Sequence, residues 1–296
     1  MLARARGRLP LMLMLCLALI GVQPGNTTSA VPLVLGCGDT LFKPNGTVWV
    51  CTFADEFEGS TLDPAKWTPL GTRASGYRNG GECFVNTPQT VRVSKGALRL
   101  SVMKLDTVYA CMDSVNGAIY RTPYLAGMVT SYRRFAQTYG RFEFRARFPR
   151  AKVPSLQSAL WLWPVDPTAF GDSLAAGEID VAEFFTTNPD RVVPNVHFTG
   201  DTADPTRTNH DCVVRRPHAF HVYTLTWSPR RIKVDYDGRT CIVNRWVQYP
   251  GLPRTAPFDR PFHLNLTQAL GIGSNAVRPR TPLPATMVVD YVRVWK

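Results

Sequence analysis

The sequence of 296 residues predicts an all-β fold, two antiparallel sheets packed face to face. Three observations carry that expectation. Apolar and polar residues alternate with period 2 in segment after segment, and no segment sustains a capped 3.6-residue repeat. The alternating segments are short and recur at regular intervals between turn-forming residues, the pattern of a sandwich. The pair Asp237-Gly238, between two such segments, is the signature of a type I′ hairpin.

The chain opens with Arg4, Arg6 and Arg8, an apolar run from Leu9 to Val22, and the small residues Thr28, Ser29 and Ala30. That layout predicts a secretory signal peptide over residues 1–30 and a single domain over 31–296. The run is shorter than the roughly 20 apolar residues that span a bilayer, and no later segment approaches that length. A secreted monomer, free of the membrane once the signal is removed, is the expectation. Cys16 lies in the signal, leaving Cys37, Cys51, Cys83, Cys111, Cys212 and Cys241. An even set in an exported chain predicts three disulfides, and sequential pairing (37–51, 83–111, 212–241) closes the shortest loops. The lack of a CxxC pair argues against zinc.

Further along, Thr47 to Cys51 reads as a strand leading into Phe53-Ala54-Asp55-Glu56-Phe57. Residues 71–81, rich in Gly, Ser, Asn and Arg, predict an exposed loop. Val91-Arg92-Val93 and Leu98 to Val102 flank Lys95-Gly96 as a hairpin. From Arg141 to Phe148 the alternation is clearest, with Phe142, Phe144, Ala146 and Phe148 on one face. Arg141, Glu143, Arg145 and Arg147 share the other, a charged surface rather than a ligand site. In Ala159 to Pro164 both tryptophans fall on one face and both leucines on the other. Later strands are read at 195–198, 221–227, 232–236, 240–243, 261–267 and 287–295. His218 and His221 have no acidic third partner, so no metal is expected there.

The formal charge is +12. A basic balance suits anionic partners or simple solubility. The arginines are scattered along strands and not clustered with stacking aromatics, which argues against nucleic acid as a partner. An anionic polysaccharide stays open. Three glycosylation sequons occur, at Asn26, Asn45 and Asn265; Asn26 falls in the signal, and Asn265 sits in an apolar strand that leaves no room for a glycan.

The chemistry concentrates in Gly177-Glu178-Ile179-Asp180-Val181-Ala182-Glu183-Phe184-Phe185. On a regular strand Glu178 and Asp180 share a face and Glu183 points away. On a helix Asp180 would lie nearly opposite Glu178. A β-bulge between Asp180 and Glu183 brings all three acids to one face. Two carboxyl groups are the minimum for hydrolysing a glycosidic bond, one protonating the leaving oxygen and the other attacking the anomeric carbon or activating water. A third between them raises its neighbours' pKa by repulsion.

These residues resemble the E-x-D-x-x-E signature of glycoside hydrolase family 16, the laminarinase-like enzymes. Phe53 to Gly59 with Leu62-Asp63 and Trp67 is similar to that family's opening. So are Tyr139 to Arg145, Ala159 to Pro164, Phe220 to Trp227 and Val289 to Val294, so the likeness runs over nearly the whole chain. The resemblance implies a β-jelly-roll sandwich with a concave substrate cleft and a secreted, retaining endo-hydrolase of β-linked polysaccharide. Glu178 would be the nucleophile, Glu183 the acid/base and Asp180 the helper. A β-1,3-glucan is the expected substrate, with agar- or carrageenan-type galactans and transglycosylation as alternatives. A non-catalytic carbohydrate-binding jelly roll would normally lack one of the acids. Two departures, Gln157-Ser158 in place of Trp-Pro and Asn265 to Gly271 in place of Asn-Leu-Ala-Val-Gly-Gly, bear on substrate choice.

For sugar binding the candidates are Trp161, Trp163, His197, Asn79, Glu82, Asn86, Asn265 and Gln268. Each has a plainer role open to it. Alternate tryptophans can be core, His197 can be structural, and residues 79–86 can be a solvated loop. Catalysis is expected to need no cofactor. The resemblance places a structural calcium at Glu56, Gly96 and Asp290, where oxygen ligands would suit it.

Overall fold

The computed structural model describes residues 36–150, 153–171, 173–199, 207–246 and 255–296. The segment read as a signal peptide lies outside them. Among the described residues, sixteen strands follow the chain. In order they are β1 (Cys51–Asp55), β2 (Thr68–Pro69), β3 (Cys83–Phe84), β4 (Val91–Val93), β5 (Leu98–Met112) and β6 (Ile119–Thr130). After these come β7 (Ala136–Gln137), β8 (Gly140–Arg147), β9 (Leu156–Pro164), β10 (Glu178–Phe185) and β11 (Val193–His197). The set closes with β12 (His221–Ser228), β13 (Arg231–Tyr236), β14 (Arg239–Asn244), β15 (Phe262–Leu270) and β16 (Ala285–Trp295).

The strand order is β11-β10-β9-β15-β6-β5-β16-β8-β12-β13-β14. Two layers emerge from it. One carries β11, β10, β9, β15 and the end of β6; the other carries β5, β16, β8, β12, β13 and β14. The long hairpin strands β5 and β6 join them. Leu98 to Val102 pair with β16, Met103 to Met112 pair with β6, and Gly127 to Thr130 of β6 pair with β15. All pairings between named strands are antiparallel except the short β3–β6 contact. The expected sandwich is what the chain forms.

Alternation explains the core. Phe142, Phe144, Tyr223, Leu225 and Trp227 from one layer pack with Leu160, Leu162, Ile179, Leu264 and Leu266 from the other. Each is at most 1% exposed, and burying such side chains stabilises by roughly 1.5–3 kcal/mol apiece. The strand residues between them face outward, which puts Trp161 and Trp163 on the outer face of the first layer.

The three disulfides pair sequentially, as the loop argument anticipated. Asp237 and Gly238 have φ of 48° and 78°, the two positive angles of a type I′ turn. Asn265 is 2% exposed, too buried to carry a glycan. Three expectations fail. The strand read from Thr47 to Cys51 begins only at Cys51, with Val48 in an isolated bridge to Phe42. The fold contains single-turn helices, α1 (Thr72–Ser75) and α2 (Ser173–Ala176). And 71–81 is not simply an exposed loop: Thr72 is fully buried and its hydroxyl bonds Tyr77 O and Phe84 N, so Tyr77 folds back over Trp161.

β11 is the outermost strand of one layer and β14 of the other. The segment after β11 runs back along it, with bridges Asn195–Thr208 and Arg191–Val213. Cys212 in that segment is bonded to Cys241 of β14, and the Asn209 amide donates to Cys241 O at 2.9 Å.

Candidate active site

The strand β10 breaks register where the acids required it. Against β9, Asp180 faces Trp161 and Ala182 faces Leu160, leaving Val181 as the extra residue. Against β11 the same break falls between Asp180 and Glu183. Val181 and Ala182 both turn into the core at 0% exposure, and all three acids line the cleft. The Tyr236 hydroxyl, from the opposite layer, donates to Val181 O at 2.9 Å. At the strand's start Gly177 has φ +84°, and a Cβ there would meet Phe258 Cε1 at 2.8 Å. Only glycine delivers Glu178 to the cleft by that path.

Cross-strand pairing turns the period-2 pattern into rows. Thr130, Asn265, Trp161, Asp180 and Asn195 form one. Met128, Thr267, Ala159 and Glu183 form the next. His263 stands opposite Trp163, and Glu178 opposite His197. With Tyr77 and Tyr132 these residues, Asn195, Thr267 and His197 excepted, line an open cleft of about 610 Å³. The Trp161 indole N–H donates to Thr267 Oγ1 at 2.9 Å, and its ring meets Trp163 edge-on at 5.8 Å. An indole held that way offers an apolar face to a sugar ring.

The electrostatics follow from crowding three carboxyls. Glu178 is pushed up by burial, then by Asp180 and Glu183, with His197 opposing. Burial pushes Asp180 up as well. Burial and Asp180 push Glu183 up to about 8, against His197, Gln157 and Asn195, which favour its charged form. The patch therefore keeps protons at neutral pH. His197 Nε2 lies 3.1 Å from Asp180 Oδ2. Gln157 Nε2 donates to Glu183 Oε1 at 2.8 Å, and Asn79 Nδ2 donates in turn to Gln157 Oε1. His263, on the cleft floor, is held to about 4 by burial and is neutral at pH 7.

Several candidates are placed elsewhere. Asn79 does not line the cleft; its amide is spent on Gln157 and Leu270 O. Glu82 is fully buried, accepts from Gly80 N at 2.9 Å and is pushed up to about 7 by that burial. Asn79 thus holds the Gln157 side chain that bonds Glu183, and Glu82 holds the backbone next to Asn79. Asn86 lies in a separate pocket with Leu62, Trp67 and Val91. Gln268 points to the inner side of β15, fully buried, accepting from Ser158 Oγ at 2.7 Å. Trp161, Trp163 and Asn265 line the cleft as expected, and His197 stands beside it on Asp180. Asn265 Nδ2 has no partner among the described residues.

Gln157, Thr267, Asn195 and Tyr236 were missed as supports. Alternation counted back from Trp161 would have found Gln157, and counted on from Asn265 would have found Thr267. Nothing local in the sequence points to Tyr236.

The implied calcium set does not fit. Both Glu56 oxygens accept from Arg293, at 2.7 and 2.9 Å, and Asp290 is paired with Arg145. Gly96 occupies the β4–β5 turn at φ 61°. Carboxylates already neutralised by guanidinium offer a divalent cation little. Among the described residues, Asp180, Glu183 and His197 alone bring three ligand-type atoms within 4.8 Å of one another.

Comparison with known proteins agrees with this geometry. The profile of Glycosyl hydrolases family 16 matches residues 82–255. A glucan endo-1,3-beta-glucosidase A1 of Niallia circulans is 32% identical over 262 residues, covering 82% of this chain and 37% of its own length. A keratan-sulfate endo-1,4-beta-galactosidase of Sphingobacterium multivorum is 31% identical, covering 82% of this chain and 54% of its own. This chain thus spans between about a third and a half of those two relatives. The crystal structure of the laminarinase from Rhodothermus marinus superposes with a TM-score of 0.69 at 29% identity, covering 84% of this chain and 97% of that one. The bulged acidic strand, the sandwich that carries it and the family match agree: this chain belongs to glycosyl hydrolases family 16.

Proposed function

We propose that the protein hydrolyses β-1,3-linked glucan internally, with retention of configuration. The observation that carries this is the bulge at Val181, which sets Glu178, Asp180 and Glu183 together on the floor of an open, aromatic-lined cleft. In the first step Glu183, protonated at neutral pH, gives its proton to the departing glycosidic oxygen while the Glu178 carboxylate attacks the anomeric carbon. The Gln157 amide donates to Glu183 Oε1 and fixes the carboxyl in the cleft. In the second step the Glu183 carboxylate takes a proton from water, which displaces Glu178 from the sugar. Glu178 must be ionised to attack while Glu183 stays protonated, so the proton that burial favours on Glu178 has to pass to a neighbour. Asp180, between them and bonded to His197, is placed to share it. Three disulfides support action in an oxidising, extracellular compartment, with residues 1–30 as the export signal.

The keratan-sulfate relative favours a second reading, cleavage of a β-linked galactan in the same cleft by the same acids. A panel of laminarin, agarose and keratan sulfate, scored for reducing ends, separates the two. New ends from laminarin, with β-configured product seen first by proton NMR, are expected. α-Product would overturn retention, and ends from a galactan alone would overturn the glucan assignment. Glu178→Ala and Glu183→Ala should each lose activity by about 10³-fold or more. Azide should rescue them with opposite stereochemistry, an inverted glycosyl azide from the first and a retained one from the second. The two outcomes reversed would exchange the assigned roles, and the same product from both would remove them.

A further inference from the structure

The outward face of the second layer is divided in its charge chemistry. On one side guanidiniums meet carboxylates: Arg141 with Glu143, Arg145 with Asp290, Arg293 with Glu56. On the other side Arg92 of β4 faces Arg99 of β5, Arg99 faces Val288 of β16, and Val288 faces Arg147 of β8. One row across four strands thus carries three guanidiniums. Among the described residues no carboxylate pairs with any of them. Phe220 ends the row, with its ring 5.4 Å from the Arg147 guanidinium and 4.6 Å from that of Arg145.

Such a row is unfavourable by itself. Like charges directly opposite on neighbouring strands repel, and burial together with Arg147 and Arg92 lowers the pKa of Arg99. The row is nevertheless held in order. Arg99 Nε donates to Ser94 Oγ at 3.1 Å, and its terminal nitrogens have no hydrogen-bond partner among the described residues. Val288, outward by alternation, is only 2% exposed, as expected where long flanking side chains lie over it. The neighbouring half of the same face shows how the fold neutralises arginines when it does so internally. Here, among the described residues, no such internal partner is supplied, which leaves the row open to an anion from outside.

We propose that the Arg92–Arg99–Arg147 row is a docking site for a linear acidic polysaccharide, whose sulfate or carboxylate groups bridge the guanidiniums. Planar guanidinium forks match both anions. The row is one residue wide and runs across the strands, a shape that suits an extended polyanion better than a flat bilayer. None of the three arginines lines the acid cleft, so a chain bound here leaves the cleft open. The protein could hold an acidic matrix on one face and work on a neutral glycan with the other.

The test is titration calorimetry with dextran sulfate, polygalacturonate and neutral dextran. It compares wild type, the triple variant Arg92→Gln/Arg99→Gln/Arg147→Gln, and a charge-matched control, Arg230→Gln/Arg231→Gln/Arg239→Gln. The row variant should lose at least about tenfold in affinity for whichever polyanion the wild type binds, and the control less than about twofold. The preferred polyanion tells sulfate from carboxylate. Cleavage in the acid cleft should be unaffected in both variants. Single Arg99→Gln, expected to lose a smaller share, keeps the test decisive should the triple variant not fold. Equal losses in both triple variants would reduce the site to net charge, and no binding of either polyanion would remove it. Tighter binding to phosphatidylglycerol vesicles than to both polysaccharides would assign the row to a membrane surface.

Discussion

Gln157 shows how one neutral side chain tunes a charged one. Its amide favours ionised Glu183, as Asn195 and His197 do, against burial and Asp180. Removing it should therefore raise the Glu183 pKa. Glu183 must be protonated to act as the acid, so kcat/KM should fall as pH rises through about 8. In Gln157→Ala that alkaline limb should move to higher pH, measurable from rate profiles on laminarin; a limb that stays in place would detach Gln157 from Glu183. The same carboxyl links stability to pH. Its folded pKa lies above the unfolded value, so its contribution is fully present below about 4.5 and is lost as pH rises towards about 8. Glu183→Gln should leave the melting temperature unchanged at pH 4 and raise it at pH 8, by calorimetry.

At the scale of the element, the bulge is the unit that matters. Its carbonyl at Val181 accepts from Tyr236, which stands on β13 in the far layer. Tyr236→Phe deletes one buried hydrogen bond and should cost about 1–2 kcal/mol in chemical denaturation. It should also lower kcat more than it raises KM, because the substrate-facing residues are untouched while Glu183 loses its brace. Equal effects on both would point to general loosening. The bulge was legible in the sequence because Glu178, Asp180 and Glu183 make sense on one face only if a residue is skipped. Its brace was not, since Tyr236 lies 55 positions away in the chain and reads locally as one more core aromatic. Asn79 and Glu82 were misread for a related reason. A polar loop residue looks the same in sequence whether it reaches solvent, substrate or, as here, the underside of a catalytic side chain. Gln268 was misplaced by its polarity, although alternation from Asn265 sends it inward.

At the scale of the molecule, alternation specified the sandwich almost completely. It could not specify strand order, because pairing across β5, β6 and β16 depends on residues far apart in sequence. The charge on this fold is also organised in a way composition conceals. A net of +12 coexists with a cleft of acids on one face and, on the other, an arginine row that meets no carboxylate among the described residues.

The link between Cys212 and Cys241 has a consequence for the shape of the whole sheet. The path of strands begins at β11 and ends at β14, and this bond ties the segment that runs back along β11 to β14. The two outermost strands of that path are thereby kept beside a covering segment, which shields their edges from another chain. The catalytic strand β10 is second from that seam. A chain with Cys212→Ser and Cys241→Ser should still build the acid cleft, losing about 3 kcal/mol of stability. Sedimentation velocity should then reveal concentration-dependent oligomers joined strand to strand at the opened seam, and a strictly monomeric variant would mean that the covering segment guards the edge without its covalent stitch.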